Sequence, residues 1–470
     1  MGGDAPASEV GAQQAVPERV PDSAAVASPS TPASTATPAP SPVWRTYSLR
    51  GLVRHPGRLF AVLLLLVLCA IPLAVLGAHL WVSHHVRAGR AALERYHNEE
   101  ALAHFQAALK VRPTDPATLV PAARALRRLG AYGEAERYLE ICQKEHSGDD
   151  DVILEQILLR AEQGGVLEVE TYCHNRLDSG DSDGPAIYEA LTRGYLRAFL
   201  WTKAKECLAR WLDQSPDDVQ ALQLQGYVKN EQHDFQGSLD CYRRALQIDP
   251  EQDGARMHLA EELLDLTQAE EALPHLEYFT KLHPDSSRAT IALARCHDQL
   301  GDSAQANQIL DELLARQPFY APALSLRGQF ALRAGDLPEA EKLLRKACTL
   351  EPRNLDAHNQ LYLCLVQDGK TDEAKELEPK IKEIERDLQR VQDIAHVEMA
   401  RAPNDPNLMQ ELGAILLRAG TEEEGLRWLR EALKVDPGHA AAHKTLADYY
   451  QKKGNVTEAA KYRKGAGGGQ

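Results

Sequence analysis

Residues 324–352 read LSLRGQFALRAGDLPEAEKLLRKACTLEP, and residues 408–437 read LMQELGAILLRAGTEEEGLRWLREALKVDP. Each stretch holds two amphipathic helical runs, with leucine and alanine recurring every three or four residues, split by a glycine-centred turn and closed by a proline. Gly226, Gly328 and Gly413 in first runs, and Ala340 and Ala347 in a second, are small enough to let neighbouring helices approach. Proline stops the second run because it has no backbone donor and disfavours helix in the residue before it.

The pattern recurs on a fixed step. Pro216, Pro250, Pro284, Pro318 and Pro352 are each 34 residues apart, and 12 residues before each lies Ala204, Ser238, Ala272, Ala306 or Ala340. Backwards, the same step gives Ala101 with Pro113, Ala135 and Val169, with one extra residue before Ala204. Forwards it gives Ala374, an excess of 17 residues, then Gly425 with Pro437, and Ala459. A period of this length is that of stacked helical hairpins, and about eleven fit the chain.

Over residues 83–463 this pattern resembles the tetratricopeptide repeat family, in its membrane-anchored bacterial type. The resemblance implies an all-α fold, a right-handed α-solenoid of helix-turn-helix units. It also implies that first helices line a concave groove for peptides. The matching inward positions are Arg124, Arg127, Arg193, Arg197, Gln223, Tyr227, Asn230, Arg295, Gln329, Arg333 and Asn359. Their arginines suit acidic or extended segments, because guanidinium holds carboxylates bidentately; the alternative is that they are solvent-exposed helix formers.

The sequence departs from the pattern in places. The unit around Val169 lacks the alanine and the proline, and most units lack an aromatic at the start of the first helix. In the ninth unit, TDEAKELEPKIKEIERDLQRVQDIAHVEMA (371–400) predicts a long charged helix with Glu378 where an apolar residue belongs. It serves as a spacer or as a docking ridge. Nine units over 83–402 are thus expected, then a break near Pro403, two semi-independent units over 403–464, and a flexible end at 465–470.

Ahead of the array, Leu59–Ala78 (LFAVLLLLVLCAIPLAVLGA) holds 20 residues without a charge. As a helix it is long enough to cross a bilayer, so 59–82 is expected to be a transmembrane helix ending at the interfacial Trp81. A cleaved signal peptide competes, but a 58-residue leader before the apolar region is too long for one. Arg45, Arg50, Arg54 and Arg58 precede the span and Arg87, Arg90 and Arg95 follow it, which by the positive-inside rule puts the N-terminus in the cytoplasm and the array outside. Ala70, Ala74 and Ala78 form a small-residue stripe of the kind common in alanine-rich spans. Eight of the 26 prolines fall in the first 43 residues, among alanine, serine and threonine, and 1–58 has the composition of a disordered tail.

Charge and chemistry narrow the function. Beyond residue 58 lie 48 basic and 64 acidic side chains, so that part carries −16, which argues against a nucleic-acid surface. Eight cysteines without a CxxC pair argue against a zinc module or a disulfide framework. Cys207 and Cys241, and Cys296 and Cys364, recur at equivalent repeat positions, as packing cysteines do. His84 and His85 are adjacent, so they point to different helix faces. No catalytic motif occurs, no cofactor is called for, and the chain does not read as an enzyme. The expected function is a membrane-anchored scaffold for protein-protein interaction, held in the bilayer by 59–82, with self-association through the span or the exposed last helix left open. The alternatives are an extracytoplasmic chaperone for envelope or cytochrome assembly and a non-catalytic recruiting subunit of a transferase or signalling enzyme.

Overall fold

The computed structural model describes residues 56–145 and 148–467; nearly all of the expected tail, 1–55, and the final 468–470 lie outside the described residues. Among the described residues there is no strand. The helices pair into eleven units, odd numbers marking first helices. These are α1 (Pro56–Glu94) and α2 (Asn98–Leu109), α3 (Pro116–Arg128) and α4 (Tyr132–Glu145), and α5 (Asp150–Arg160) and α6 (Val166–Asp178). Then come α7 (Gly184–Arg197) and α8 (Trp201–Gln214), α9 (Val219–Glu231) and α10 (Phe235–Ile248), and α11 (Asp253–Asp265) and α12 (Ala269–Leu282). Next are α13 (Ser287–Gln299) and α14 (Ser303–Arg316), α15 (Ala321–Arg333) and α16 (Leu337–Leu350), and α17 (Leu355–Gln367) and α18 (Thr371–Asp393). The last are α19 (Pro406–Ala419) and α20 (Glu422–Val435), and α21 (Ala440–Lys452) and α22 (Val456–Gly467).

The turn inside each unit carries the period in its backbone. One residue there takes positive φ, at 96, 130, 164, 199, 233, 267, 301, 335, 369, 420 and 454. The step is 34 throughout, except for the extra residue before 199 and the 17-residue excess before 420. Seven of these residues are glycine, which reaches the left-handed region without steric cost. Val169 thus belongs to a proper unit, whose turn is Gly164 at φ 111°, and Val169 fills the alanine's buried place.

Small residues set the helix spacing. A Cβ on Gly226 would lie 2.8 Å from the Tyr242 ring, and one on Gly328 or Gly413 2.8 Å from Leu344 or Leu429. Asp234, Asp302 and Asp336 cap second helices by accepting from the backbone N–H three residues on. Second helices end at Gln214, Ile248, Leu282, Arg316 and Leu350, two residues before each lattice proline. The recurring cysteines pack as expected: Cys207, Cys241, Cys296 and Cys364 are buried, and burial pushes the Cys207 thiol up to about 12.

α1 runs unbroken through Pro72. Phe60 and the large apolar side chains from Leu64 to Trp81 are 42–68% exposed, while farther on Ala92 and Leu93 are buried with Ala101 and Phe105 in the first unit's core. The same helix therefore changes from an uncovered apolar rod to a packed repeat helix.

Residues 73–470 form one compact unit. The expected break near Pro403 does not set the last two units apart. α18 gives way to a wide turn, Ile394–Glu398, and one more helical turn, Met399–Arg401. Ile394 and Met399 then share a core with Leu412, Trp428 and Leu446. α22 continues to Gly467, and the rest of the expected flexible end lies outside the described residues.

Two turns also carry contacts between distant units. Phe199, at φ 58°, stacks on Trp428 at 5.7 Å between ring centroids, and Trp201 stacks on His396 at 5.2 Å while its Nε1 donates to the Ala395 carbonyl at 3.1 Å. Tyr96, at φ 61°, lies under the Arg128 guanidinium at 4.3 Å and donates its hydroxyl to Asp218 at 3.2 Å. Bulky residues held in the left-handed region cost about 1–2 kcal/mol each. At Tyr96 and Phe199 the ring contacts offset that cost and fold the array back on itself.

Candidate functional site

The inward positions of the first helices fall into two environments. In the first, Arg124 and Arg127 on α3 and Arg193 and Arg197 on α7 meet carboxylates instead of solvent. Arg127 donates from Nε to Glu155 at 2.6 Å and also pairs with Glu162, and all three side chains are buried. Arg124 reaches the other Glu155 oxygen at 2.9 Å and Asp183 at 3.0 Å. Glu189 receives Arg128 at 2.8 Å and Arg193 at 3.4 Å. Arg197 pairs with Glu424 of α20 and donates to the Glu162 carbonyl at 3.2 Å.

The charges here depend on one another. Burial alone would raise the Glu155 carboxyl, but Arg127 and Arg124 outweigh it and hold the group down to about 2. Glu189 is likewise lowered, with burial overcome by Arg128 and Arg193. For Glu162 burial prevails and the carboxyl moves up. Fully enclosed, Arg127 offers no surface to a ligand. This cluster ties α3, α5 and α7 together as a polar core.

The second environment is open. Arg295, Gln329 and Arg333 line a groove of about 710 Å³ together with Asp265, Asp298 and Gln360. Each arginine reaches back to an acid on the preceding unit's first helix: Arg295 to Asp265 at 2.7 Å and Arg333 to Asp298 at 2.6 Å. Their side chains are 37% and 54% exposed. The Arg295–Asp265 pair is exposed on both sides and contributes about 0–1 kcal/mol, so exchanging that aspartate for an incoming carboxylate costs little, whereas Asp298, at 14% exposed, is the more enclosed partner. Phe330 lies under Arg333 at 4.8 Å and gives the floor an apolar base.

The remaining positions lie apart from this groove. Tyr227 is exposed beside Trp201, with ring centroids 6.4 Å apart, and Gln223 donates to Gln252 at 3.4 Å. Asn230 and Asn359 are half-buried, and Gln360, next to Asn359, is the α17 residue that lines the groove. Asp265 and Asp298 are absent from the inward positions expected from the sequence, which are arginines, amides and a tyrosine. Their signal was their place near the ends of first helices, within reach of the following unit.

Models of the tetratricopeptide repeat match residues 86–150 and 263–330. Anaphase-promoting complex subunit 7 of Dictyostelium discoideum is 26% identical over 212 residues, 45% of this chain and 33% of that protein. A TPR repeat-containing protein of Pseudomonas aeruginosa is 28% identical over 223 residues, 46% of this chain and 34% of its own. The chain thus spans about a third of the length of these relatives. Among solved structures, a tetratricopeptide repeat protein from Parabacteroides merdae is 15% identical, covers 61% of this chain and 99% of its own, and has a TM-score of 0.33. A human IFIT1 dimer with PPP-AAAA is 16% identical, with coverage of 74% and 89% and a TM-score of 0.39.

Proposed function

Since this chain is a tetratricopeptide repeat protein, we propose that it is a membrane-anchored scaffold that holds an extended acidic segment of a partner protein against Arg295, Gln329 and Arg333. One observation carries the reading: two partly exposed arginines line an open groove, each paired with a single aspartate. The repeats serve as a protein-interaction surface, and a long surface of stacked units sums many weak contacts. One relative is by name a subunit of a larger complex, which accords with such a role. The reading assigns the chain no chemistry of its own.

Anchoring is supported by α1. Leu64, Leu65, Leu66 and Leu68 are each at least half exposed on a helix long and apolar enough to cross a membrane, and lipid covers such a surface without any partner. The bias of four arginines before the span against three after it favours an array on the outer side, and with it a role in envelope assembly. Labelling cysteines introduced in the array with a membrane-impermeant reagent on intact cells tests that orientation; an array protected from the reagent removes the assembly role.

Peptides that differ only in net charge, titrated onto the full chain in detergent, test the groove. Acidic peptides are expected to bind in a salt-sensitive way and to lose about tenfold or more in affinity to R295A/R333A. Binding indifferent to peptide charge or to both arginines would contradict the reading.

A further inference from the structure

Away from the groove, the turn after α1 meets the turn before α11. Gln252 is 5% exposed and donates from Nε2 to the Arg95 carbonyl at 2.6 Å, which locks the two backbones together. Beside this contact, a ring nitrogen of His97 and one oxygen each of Asp249 and Glu251 lie within 4.8 Å of one another. His97 Nε2 is 3.5 Å from Asp249, and His97 Nδ1 is 3.5 Å from Glu100. We propose that His97, Asp249 and Glu251 bind a divalent transition-metal ion of the Zn²⁺ class, which clips the first unit to the turn between the fifth and sixth.

The chemistry of the donors supports the assignment. His97 Nε2 is enclosed yet has no hydrogen-bond partner. In the tautomer that carries its proton on Nδ1, 3.5 Å from Glu100, the Nε2 lone pair points toward Asp249 at 3.5 Å, where a bound cation would satisfy both groups. Glu100 then stands behind the ligand as the carboxylate that orients metal-bound histidines and raises their basicity. One nitrogen and two carboxylate oxygens suit Zn²⁺ with a water in the fourth position, whereas Mg²⁺ and Ca²⁺ favour all-oxygen sets. Zinc–ligand bonds of about 2.0–2.2 Å place tetrahedral donors about 3.4 Å apart, so side-chain rotation on the order of 1 Å completes the site. A cavity of about 710 Å³ lined in part by His97, Glu100 and Glu251 gives the ion and its water access. Arg95, exposed and 4.0 Å from Glu251, is the cation the metal displaces.

Sequence spacing had no means of finding this trio, because His97 and Asp249 are 152 residues apart and meet only when the array folds back. The test uses the full chain in detergent, stripped with chelator and dialysed against Zn²⁺ at about ten micromolar, alongside H97N and E251Q. Wild type is expected to retain one equivalent more than either variant, and Zn²⁺, but not Mg²⁺, to raise the Tm of wild type alone. Zinc on other histidines cancels in that comparison. Glu251 is largely exposed, so E251Q keeps the fold and decides the matter if H97N does not. Equal zinc content in wild type and E251Q, or none in wild type, would show an ordinary imidazole–carboxylate contact and overturn the proposal.

Discussion

Thr267 sits at φ 59° in the turn between α11 and α12, where seven other units place glycine. A β-branched residue there costs about 1–2 kcal/mol, and nothing in the structure offsets it. Thr267→Gly should therefore raise stability by about 0.5–1 kcal/mol after glycine's entropic penalty, read as a higher urea midpoint. Phe199→Gly should have the opposite sign, because the stack on Trp428 is lost with the ring. Were both to stabilise, the account of these turns would be wrong. Glu155 offers a second test. Its folded-state carboxyl lies near 2, below the ordinary 4.5, so its contribution is complete above about pH 4.5 and lost as pH falls through about 2. At pH 7, Glu155→Gln should cost about 3–5 kcal/mol by leaving Arg124 and Arg127 short of a partner in a buried site. The gap between wild type and variant should close between about pH 4.5 and 2, which paired denaturation curves would show.

Elements differ in how much of them the sequence made legible. The 34-residue step announced every unit, and the left-handed turn residue follows the same lattice through both irregularities, the extra residue before 199 and the excess before 420. What the step left open was curvature. Arg124 and Arg127 have the spacing of groove arginines and pair with acids of the adjacent unit, Glu155 and Glu162, but there Arg127 and both carboxylates are buried, in the part of the array where Tyr96 reaches across to Asp218. A repeat pattern specifies nearest neighbours only, so contacts several units apart leave no periodic trace. The break expected at Pro403 failed for the same reason: Ile394, Met399 and Trp201 bind the end of α18 to both sides. Trp201→Ala should free this segment, so trypsin should cut after the exposed Arg401 severalfold faster than in wild type. An unchanged rate would mean that Trp201 holds nothing. With α1 as the proposed membrane anchor, Leu66→Arg should cost about 2.5–3.5 kcal/mol of insertion and shift the protein toward the soluble fraction on carbonate extraction.

At the scale of the whole molecule, one chain combines an apolar helix, a closed and charge-packed first part, and an open groove farther along. The closed part ties units that the period alone would leave independent, while the groove holds two partly exposed arginines, each on a single aspartate. Equal-looking inward arginines thus meet different surroundings: Arg127 is enclosed among carboxylates, while Arg295 and Arg333 stand partly exposed on the groove, where the proposed partner would reach them. The most direct measurement places a photo-crosslinking residue at Gln329, and a control at the exposed Lys342, in the full chain in its own membrane, each with and without R295E/R333E. The account predicts that position 329, and not 342, captures a protein through an acidic segment, and that the charge reversal abolishes capture while membrane fractionation is unchanged. Capture at both positions alike, or capture at 329 that survives the charge reversal, would contradict it.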